Sequence, residues 1–250
     1  MMTDNTPWHQ NDDFWHALAP IFFSPARWEG TPAEIDHVLA LLDVAPGGTI
    51  LDLCCGPGRH SLELSRRGFR LTGIDRTKAY LEDAKSRAAR EGLSVEFLQA
   101  DMREFQRPEA FDAVINLFTS FGYFADPADD LTVLRNIHTS LKPGGKLVIE
   151  MMGKEVLARI YRERVWSESE GIIVLEEHKL EDNWSTMTNR WIVLDGNKRT
   201  EFNFSHRLYS AKELELLLLQ AGFSHTEFHG SLAGIPYDHN ATRLVATATK

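Results

Sequence analysis

The spacing of apolar positions changes several times along the chain, and each change marks an element. Behind Thr31-Pro-Ala-Glu, which has the composition of a capped helix start, Ile35, Val38, Leu39 and Leu42 recur at helical spacing. Thr49–Cys54 is a short apolar run that predicts a strand, and Leu62, Leu64 and Phe69 predict a helix closing near Gly68. Arg70–Ile74 predicts a second strand, Thr77–Glu91 a charged helix with Gly92 past its end, and Val95–Gln99 and Phe111–Asn116 two more strands. A helix over Asp129–Leu141, a Pro143-Gly-Gly turn and a strand over Lys146–Met151 complete this block. Strands separated by helices imply a doubly wound α/β fold, mostly parallel, with helices on both faces of the sheet. Beyond residue 152 the period shortens to two: Ile172–Lys179, Thr186–Leu194 and Thr200–Leu208 alternate, and Asp195-Gly-Asn joins two of them. An antiparallel β insertion after the fifth strand is therefore expected. Ser210–Ala221, stopped by Gly222, returns to helix, followed by strands near Ser224–His229 and Leu244–Thr249.

These changes divide the chain into a lid segment (1–30), an α/β core (31–152), an antiparallel cap (153–208) and a segment completing the core sheet (209–250). The first block carries Trp8, Phe14, Trp15, Phe22, Phe23 and Trp28, which suit packing over a site edge. Composition narrows the function classes. A formal net charge of −9 over 250 residues disfavours a phosphate backbone as ligand. Arg59, Arg66, Arg67, Arg70, Arg76 and Lys78 lie around a predicted helix and read as a solvated face rather than a nucleic-acid groove. The only cysteines, Cys54 and Cys55, are adjacent, too close for ordinary disulfide geometry and too few for a zinc site. No basic n-region opens the chain, and no apolar run approaches the roughly 20 residues of a membrane span. A cytoplasmic protein with no metal, membrane or nucleic-acid partner is expected.

The candidate chemistry gathers at strand ends, where ligands sit in an open parallel sheet. Gly56 and Gly58 follow the first strand in LDLCCGPGRH, with Asp52 ahead of them; a carboxylate there suits a cationic ligand better than a pyrophosphate. Asp75 ends the second strand in Thr72-Gly-Ile-Asp75, where it can accept ribose hydroxyls. Asp101-Met102 follows the third strand, where the acid can accept an adenine amino group and the next backbone N–H can meet a ring nitrogen.

Together LDLCCGPGRH, GID, QADM, FDAVINLFTSFGYF and LKPGGKLVIE resemble, in order and spacing, the class I S-adenosylmethionine-dependent methyltransferases over residues 47–152. RLYSAKEL and IPYDHNATRLV resemble a bacterial small-molecule subgroup. The resemblance implies a Rossmann-like fold and S-adenosyl-L-methionine as cofactor. Asp52, Gly56 and Gly58 would hold its methionine end and leave room for the nucleoside. Asp75 would take the ribose, Asp101 and Met102 the adenine, and Asn116 with Leu117 would line the site. Cys54 stands where that family usually has its first glycine. The acceptor would be a small molecule, with Tyr123, Glu150 and His206 as candidate catalytic groups and Tyr209, Tyr237 and His239 behind them. A nicotinamide-dependent oxidoreductase and a non-catalytic nucleoside-binding protein are the rival readings. Methyl transfer is a direct displacement, so alignment and exclusion of water matter more than a dedicated base.

Overall fold

A computed structural model describes residues 7–250. A 3-10 turn (Trp8–Gln10) leads into α1 (Asp12–Phe22) and α2 (Pro25–Leu42). The core then alternates: β1 (Thr49–Leu53), α3 (Arg59–Arg66), β2 (Arg70–Asp75), α4 (Lys78–Glu91), β3 (Val95–Gln99), β4 (Phe111–Asn116), α5 (Pro127–Ser140), β5 (Leu141–Met151) and α6 (Lys154–Ile160). The cap comprises β6 (Arg164–Ser169), β7 (Ile172–Glu181), β8 (Thr186–Asp195) and β9 (Lys198–Arg207). The chain ends with α7 (Ala211–Ala221), β10 (His225–His229) and β11 (Leu244–Thr249). Among the described residues no helix is long and apolar enough to cross a membrane.

The core strands form one sheet in the order β10-β11-β5-β4-β1-β2-β3. β1 runs parallel to both β2 and β4, whereas β11 runs antiparallel to β5 and β10 to β11. From the β1–β4 pair the chain winds outward in both directions, so the carboxyl ends of β1 and β4 flank the crevice in which such sheets take ligands. The central strands are mostly apolar because both faces are covered, with Asp52 of β1 and Asn116 of β4 as buried polar exceptions. Ile50, Ile115 and Val148 meet Ile35, Val38 and Leu42 of α2 on one face, and Leu51, Val114 and Ile149 meet Val133, Leu134 and Leu218 of α5 and α7 on the other.

Three local expectations are corrected. The helix expected to start at Thr31 begins at Pro25 with Ser24 as N-cap, and Pro32 lies inside it. The Thr31 hydroxyl, which would have capped a new helix, donates instead to Arg27 O within the same one (2.9 Å). Tertiary contacts hold this helix across its proline: Arg87 lies 4.4 Å over the Trp28 ring, and Arg59 donates to Thr31 Oγ1 (2.9 Å) and pairs with Glu34. Pro143-Gly-Gly does not separate helix from strand but forms an irregularity inside β5, where the register with β4 shifts between Phe111 and Ala113. The edge strand β6 and the short α6 are additional, and β6 is exposed at nearly every position, which leaves no burial pattern to read.

The cap is a four-stranded antiparallel sheet, β6-β7-β8-β9. Its register places Val174 opposite Val193, Trp191 opposite Phe202, Asn189 between His178 and Phe204, and Met187 opposite His206. This face packs Ile172, Val174, Val193 and Phe202 against Phe14 and Leu18 of α1. The cap and the N-terminal helix thus share one apolar cluster.

A buried polar group fastens the end of the cap to the core. Tyr209 donates to Asp130 Oδ2 (2.7 Å), and Arg207 Nε lies 3.5 Å from the same oxygen, on a side chain with no solvent exposure. Burial pushes the Asp130 carboxyl up from 3.8 to about 6, with the Tyr209 and Arg207 contacts opposing it. A carboxyl raised on folding favours the folded state most while protonated, below pH 4, and that contribution is lost as the pH climbs through about 6. Asp130→Asn is expected to flatten the dependence of unfolding free energy on pH between 4 and 6. Between pH 4 and 7 wild type should lose on the order of 2–3 kcal/mol of stability that the variant does not lose. Urea denaturation across that range measures it, and parallel slopes for variant and wild type would contradict the assignment.

Candidate functional site

The turn after β1 is built from three left-handed residues: Cys54 at φ +66°, Gly56 at +54° and Gly58 at +81°. Cys54 therefore keeps the backbone a glycine would have, at a cost of about 1–2 kcal/mol. Its thiol is accommodated by Met102, with Sγ 3.6 Å from Sδ. The turn is fixed by backbone bonds from Cys55 N to Ile74 O (2.9 Å) and from Gly58 N to Cys55 O (3.0 Å), and by Gly56 N donating to Asp75 Oδ2 (2.8 Å).

The two glycines serve different needs. A Cβ at Gly58 would lie 3.0 Å from both Ala84 Cβ and Phe97 Cζ, so this glycine lets α3 pack on α4 and β3. Packing by itself therefore demands a glycine here, beside the cofactor role that the resemblance implies. A Cβ at Gly56 would lie 2.9 Å from Phe23 Cζ. A ring from the N-terminal segment thus covers the face of the turn that the bare backbone exposes.

Three carboxylates converge around Cys54. Burial above all, then the charges of Asp75, Asp52 and Asp101, push its thiol well up, so the cysteine stays protonated and unreactive. Asp52 is buried, accepts from Ser61 Oγ (2.6 Å) and has no ion-pair partner among the described residues; burial raises its carboxyl pKa. Asp75 accepts from two backbone donors, Gly56 N (2.8 Å) and Thr77 N (2.7 Å). Asp101 is forked by Arg103, whose Nη2 lies 2.7 Å from Oδ2 and whose Nε lies 3.1 Å from Oδ1; despite burial this pairing lowers its carboxyl pKa. On the β4 side, Asn116 is fully buried and donates to Leu53 O (3.1 Å), while its Oδ1 has no partner. Leu117 and Met102 are buried beside it. The unpaired negative charge of Asp52, the carboxylate of Asp75 and the orphaned Asn116 amide oxygen suit a ligand with a cationic centre and hydroxyls.

The candidate catalytic residues separate. Tyr123 reaches this group: Asp75 and Cys54 are among its electrostatic neighbours, and its ring lies 4.8 Å from Trp8. Burial pushes its phenol up, so it is protonated near neutral pH. Glu150 does not present a free carboxylate. Its Oε2 accepts from Phe118 N (2.6 Å) and its Oε1 pairs with Arg243, which also donates to Thr119 Oγ1 (2.5 Å). His206 belongs to the cap, with Nδ1 3.4 Å from the Asn189 amide, and burial brings its imidazole down to about 4. Tyr209 is committed to Asp130, Tyr237 donates to Glu155 Oε2 (2.9 Å), and the carbonyl of His239 receives Arg159.

The basic residues set aside earlier are engaged. Arg59 pairs with Glu34, Arg66 with Glu63 and Glu91, Arg67 with Asp36 and Glu63, Arg76 with Asp12 and Lys78 with Glu82, while Arg70 donates to Gly47 O (3.1 Å). Arg103, Arg243 and His9 also lie in this region although the motifs did not indicate them, whereas Phe23 is one of the N-terminal aromatics expected over the edge. Of these three, Arg243 had a nearby signal, standing within the IPYDHNATRLV segment.

Residues 50–145 match the model of a methyltransferase domain family. The chain is 29% identical over 196 residues to carboxy-S-adenosyl-L-methionine synthase of Wolinella succinogenes, covering 72% of this chain and 70% of that one. It is 34% identical over 125 residues to the ubiquinone biosynthesis O-methyltransferase of Aeromonas salmonicida, spanning 49% of this chain and about half (51%) of that relative. A crystal structure of an S-adenosylmethionine-dependent methyltransferase from Clostridium acetobutylicum superposes with a TM-score of 0.77 at 17% identity, covering 95% of this chain and 98% of that one.

Proposed function

We propose that the chain is a class I S-adenosylmethionine-dependent methyltransferase and that it methylates a small molecule held between the core and the cap, a reading supported by the methyltransferase-domain match and the methyltransferase relatives. The observation that carries this is the convergence of Asp52, Asp75 and Asp101 around Cys54, next to an Asn116 Oδ1 that has no partner. When bound, S-adenosylmethionine supplies a methyl group already activated on a sulfonium. Everything else falls to the chain. In this proposal Asp52 and Asn116 Oδ1 face the cationic methionine end, and Asp75 accepts from the ribose with the lone pairs left by Gly56 and Thr77. Asp101 accepts from the adenine amino group while Arg103 fixes its plane, and Met102 and Leu117 supply the apolar walls.

The acceptor belongs on the far side of Tyr123. Trp8 packs directly on Tyr123 and Phe204 packs on Trp8, so the N-terminal segment and the inner face of the cap meet beside this phenol. Residues from the N-terminal segment and the cap would therefore choose the acceptor, as an aromatic and polar wall excluding water. A protonated Tyr123 orients the attacking atom by a hydrogen bond rather than removing its proton, and a neutral His206 offers a second polar contact from the cap. The name of the Aeromonas relative, an O-methyltransferase of ubiquinone biosynthesis, supports a small acceptor.

The test pairs calorimetry of S-adenosylhomocysteine with transfer of labelled methyl from S-adenosylmethionine into a fractionated pool of small metabolites. Label recovered only in macromolecules would reject the small-molecule reading. Tyr123→Phe is expected to slow single-turnover transfer by about tenfold to a hundredfold while leaving affinity for S-adenosylhomocysteine within about threefold. Unchanged transfer would leave Tyr123 a packing residue.

A further inference from the structure

His9 sits in a segment that no strand-end motif includes, yet its ring lies at the carboxyl edge of the sheet. The backbone there is tied to the core. Arg76, which follows Asp75, donates to His9 O (3.3 Å) and Gln10 O (2.6 Å) and pairs with Asp12 (3.1 Å), and Trp15 Nε1 donates to His9 O (2.9 Å). The imidazole stands edge-on to Phe124 with centroids 5.2 Å apart, and Arg103 covers that ring at 4.4 Å. Its charged surroundings are Arg103, Asp101, Arg76 and Asp129, the residues that follow β2 and β3 and the start of α5. Both ring nitrogens are buried and neither has a hydrogen-bond partner.

An imidazole N–H buried without an acceptor is costly, so a segment this firmly anchored implies a ligand that accepts from it. We propose that His9 is an adenine-binding residue, delivered to the cofactor site by the N-terminal segment and meeting the base edge opposite Asp101. The proposal rests on the assignment of S-adenosylmethionine to this crevice. Burial, with Arg103 nearby, lowers the imidazole pKa, so the ring is neutral and carries one donor and one acceptor. On the edge away from Asp101 an adenine ring nitrogen is an acceptor for the imidazole N–H, while the amino group stays with Asp101. A purely structural histidine has no need of this complementarity.

The experiment is a calorimetric cycle with S-adenosylhomocysteine and its 1-deaza, 3-deaza and 7-deaza analogues, titrated into wild type, His9→Phe and His9→Asn. Phenylalanine keeps the ring against Phe124 and Trp8 but has no nitrogen; asparagine keeps a donor and an acceptor on a smaller side chain. One analogue should bind wild type about tenfold more weakly than the parent, because the nitrogen that meets His9 is gone. His9→Phe should bind the parent with the same tenfold loss and show no further loss with that analogue, while His9→Asn recovers part of the affinity. Parent affinity within twofold of wild type in His9→Phe would overturn the proposal, as would losses that simply add for every analogue. No binding of S-adenosylhomocysteine to wild type would instead remove the cofactor assignment, and the proposal with it. If His9→Phe does not fold, the parent and deaza titrations of His9→Asn decide, since the asparagine variant should retain part of the preference for the intact base.

Discussion

Asp75→Ala is expected to lower affinity for S-adenosylhomocysteine by about tenfold to a hundredfold and the unfolding free energy by about 3 kcal/mol. Both effects come from one carboxylate with two tasks. Its oxygens already accept from Gly56 N (2.8 Å) and Thr77 N (2.7 Å), so the same group shapes the glycine turn and fixes the entry to α4. Thr77, the N-cap of that helix, makes no side-chain cap bond of its own, and Asp75 satisfies its backbone N–H at the entry to the helix. Hydrogen bonds to a charged acceptor contribute about 1.5–3 kcal/mol each, and alanine leaves both backbone donors without it. The ligand loses the ribose acceptor and also the turn geometry that Asp75 maintains. Calorimetry and urea denaturation on the same preparation separate the two. A stability loss with unchanged affinity would confine Asp75 to the fold, and an affinity loss with unchanged stability would show that the backbone bonds contribute nothing net.

Glu150→Ala is expected to destabilise the protein by about 3–5 kcal/mol, whereas Glu150→Gln should change single-turnover transfer by less than about tenfold. Alanine strands the Arg243 guanidinium and the Phe118 N–H, which meet at the end of β5 beside the crevice. The Glu150 side chain is only 10% exposed and that of Arg243 27%, so solvent compensates the unpaired charge poorly. Phe118 and Thr119 are both left-handed, at φ +62° and +59°, and Glu150 and Arg243 hold that strained pair in place ahead of Tyr123. Glutamine keeps an acceptor for Phe118 and a weaker one for Arg243, so it should retain most of the positioning. If Glu150 removed a proton from the acceptor, the pattern would reverse: Glu150→Gln would fold like wild type and lose transfer by a hundredfold or more.

What the sequence determined by itself lies within about ten residues along the chain. Ile50, Leu51 and Leu53 define β1 because a strand buried on both faces is mostly apolar, with Asp52 as its one buried acid, and Ser210 with Glu213 closes the capping box that starts α7. Asp52, Asp75 and Asp101 were recognisable because strand ends with acids recur at the spacing of a doubly wound sheet. The tertiary structure alone decided which groups those acids meet. Gly58 looks in sequence like room for a ligand, and α4 and β3 bring Ala84 and Phe97 so close that packing by itself also demands a glycine. Thr31-Pro32 looks like a helix start, but the clasp of Arg59 on Glu34 and Thr31 carries one helix through it. Glu150 looks like a free carboxylate until β11 lies antiparallel on β5 and brings Arg243, 93 residues away, against it. His9 and Phe23 reach the crevice because α1 packs into the cap's aromatic face, a contact that no local period encodes. Propensity, capping and backbone conformation depend on neighbours in the chain; ion pairs and the filling of space depend on strand order, which the chain adopts only when the whole sheet is assembled.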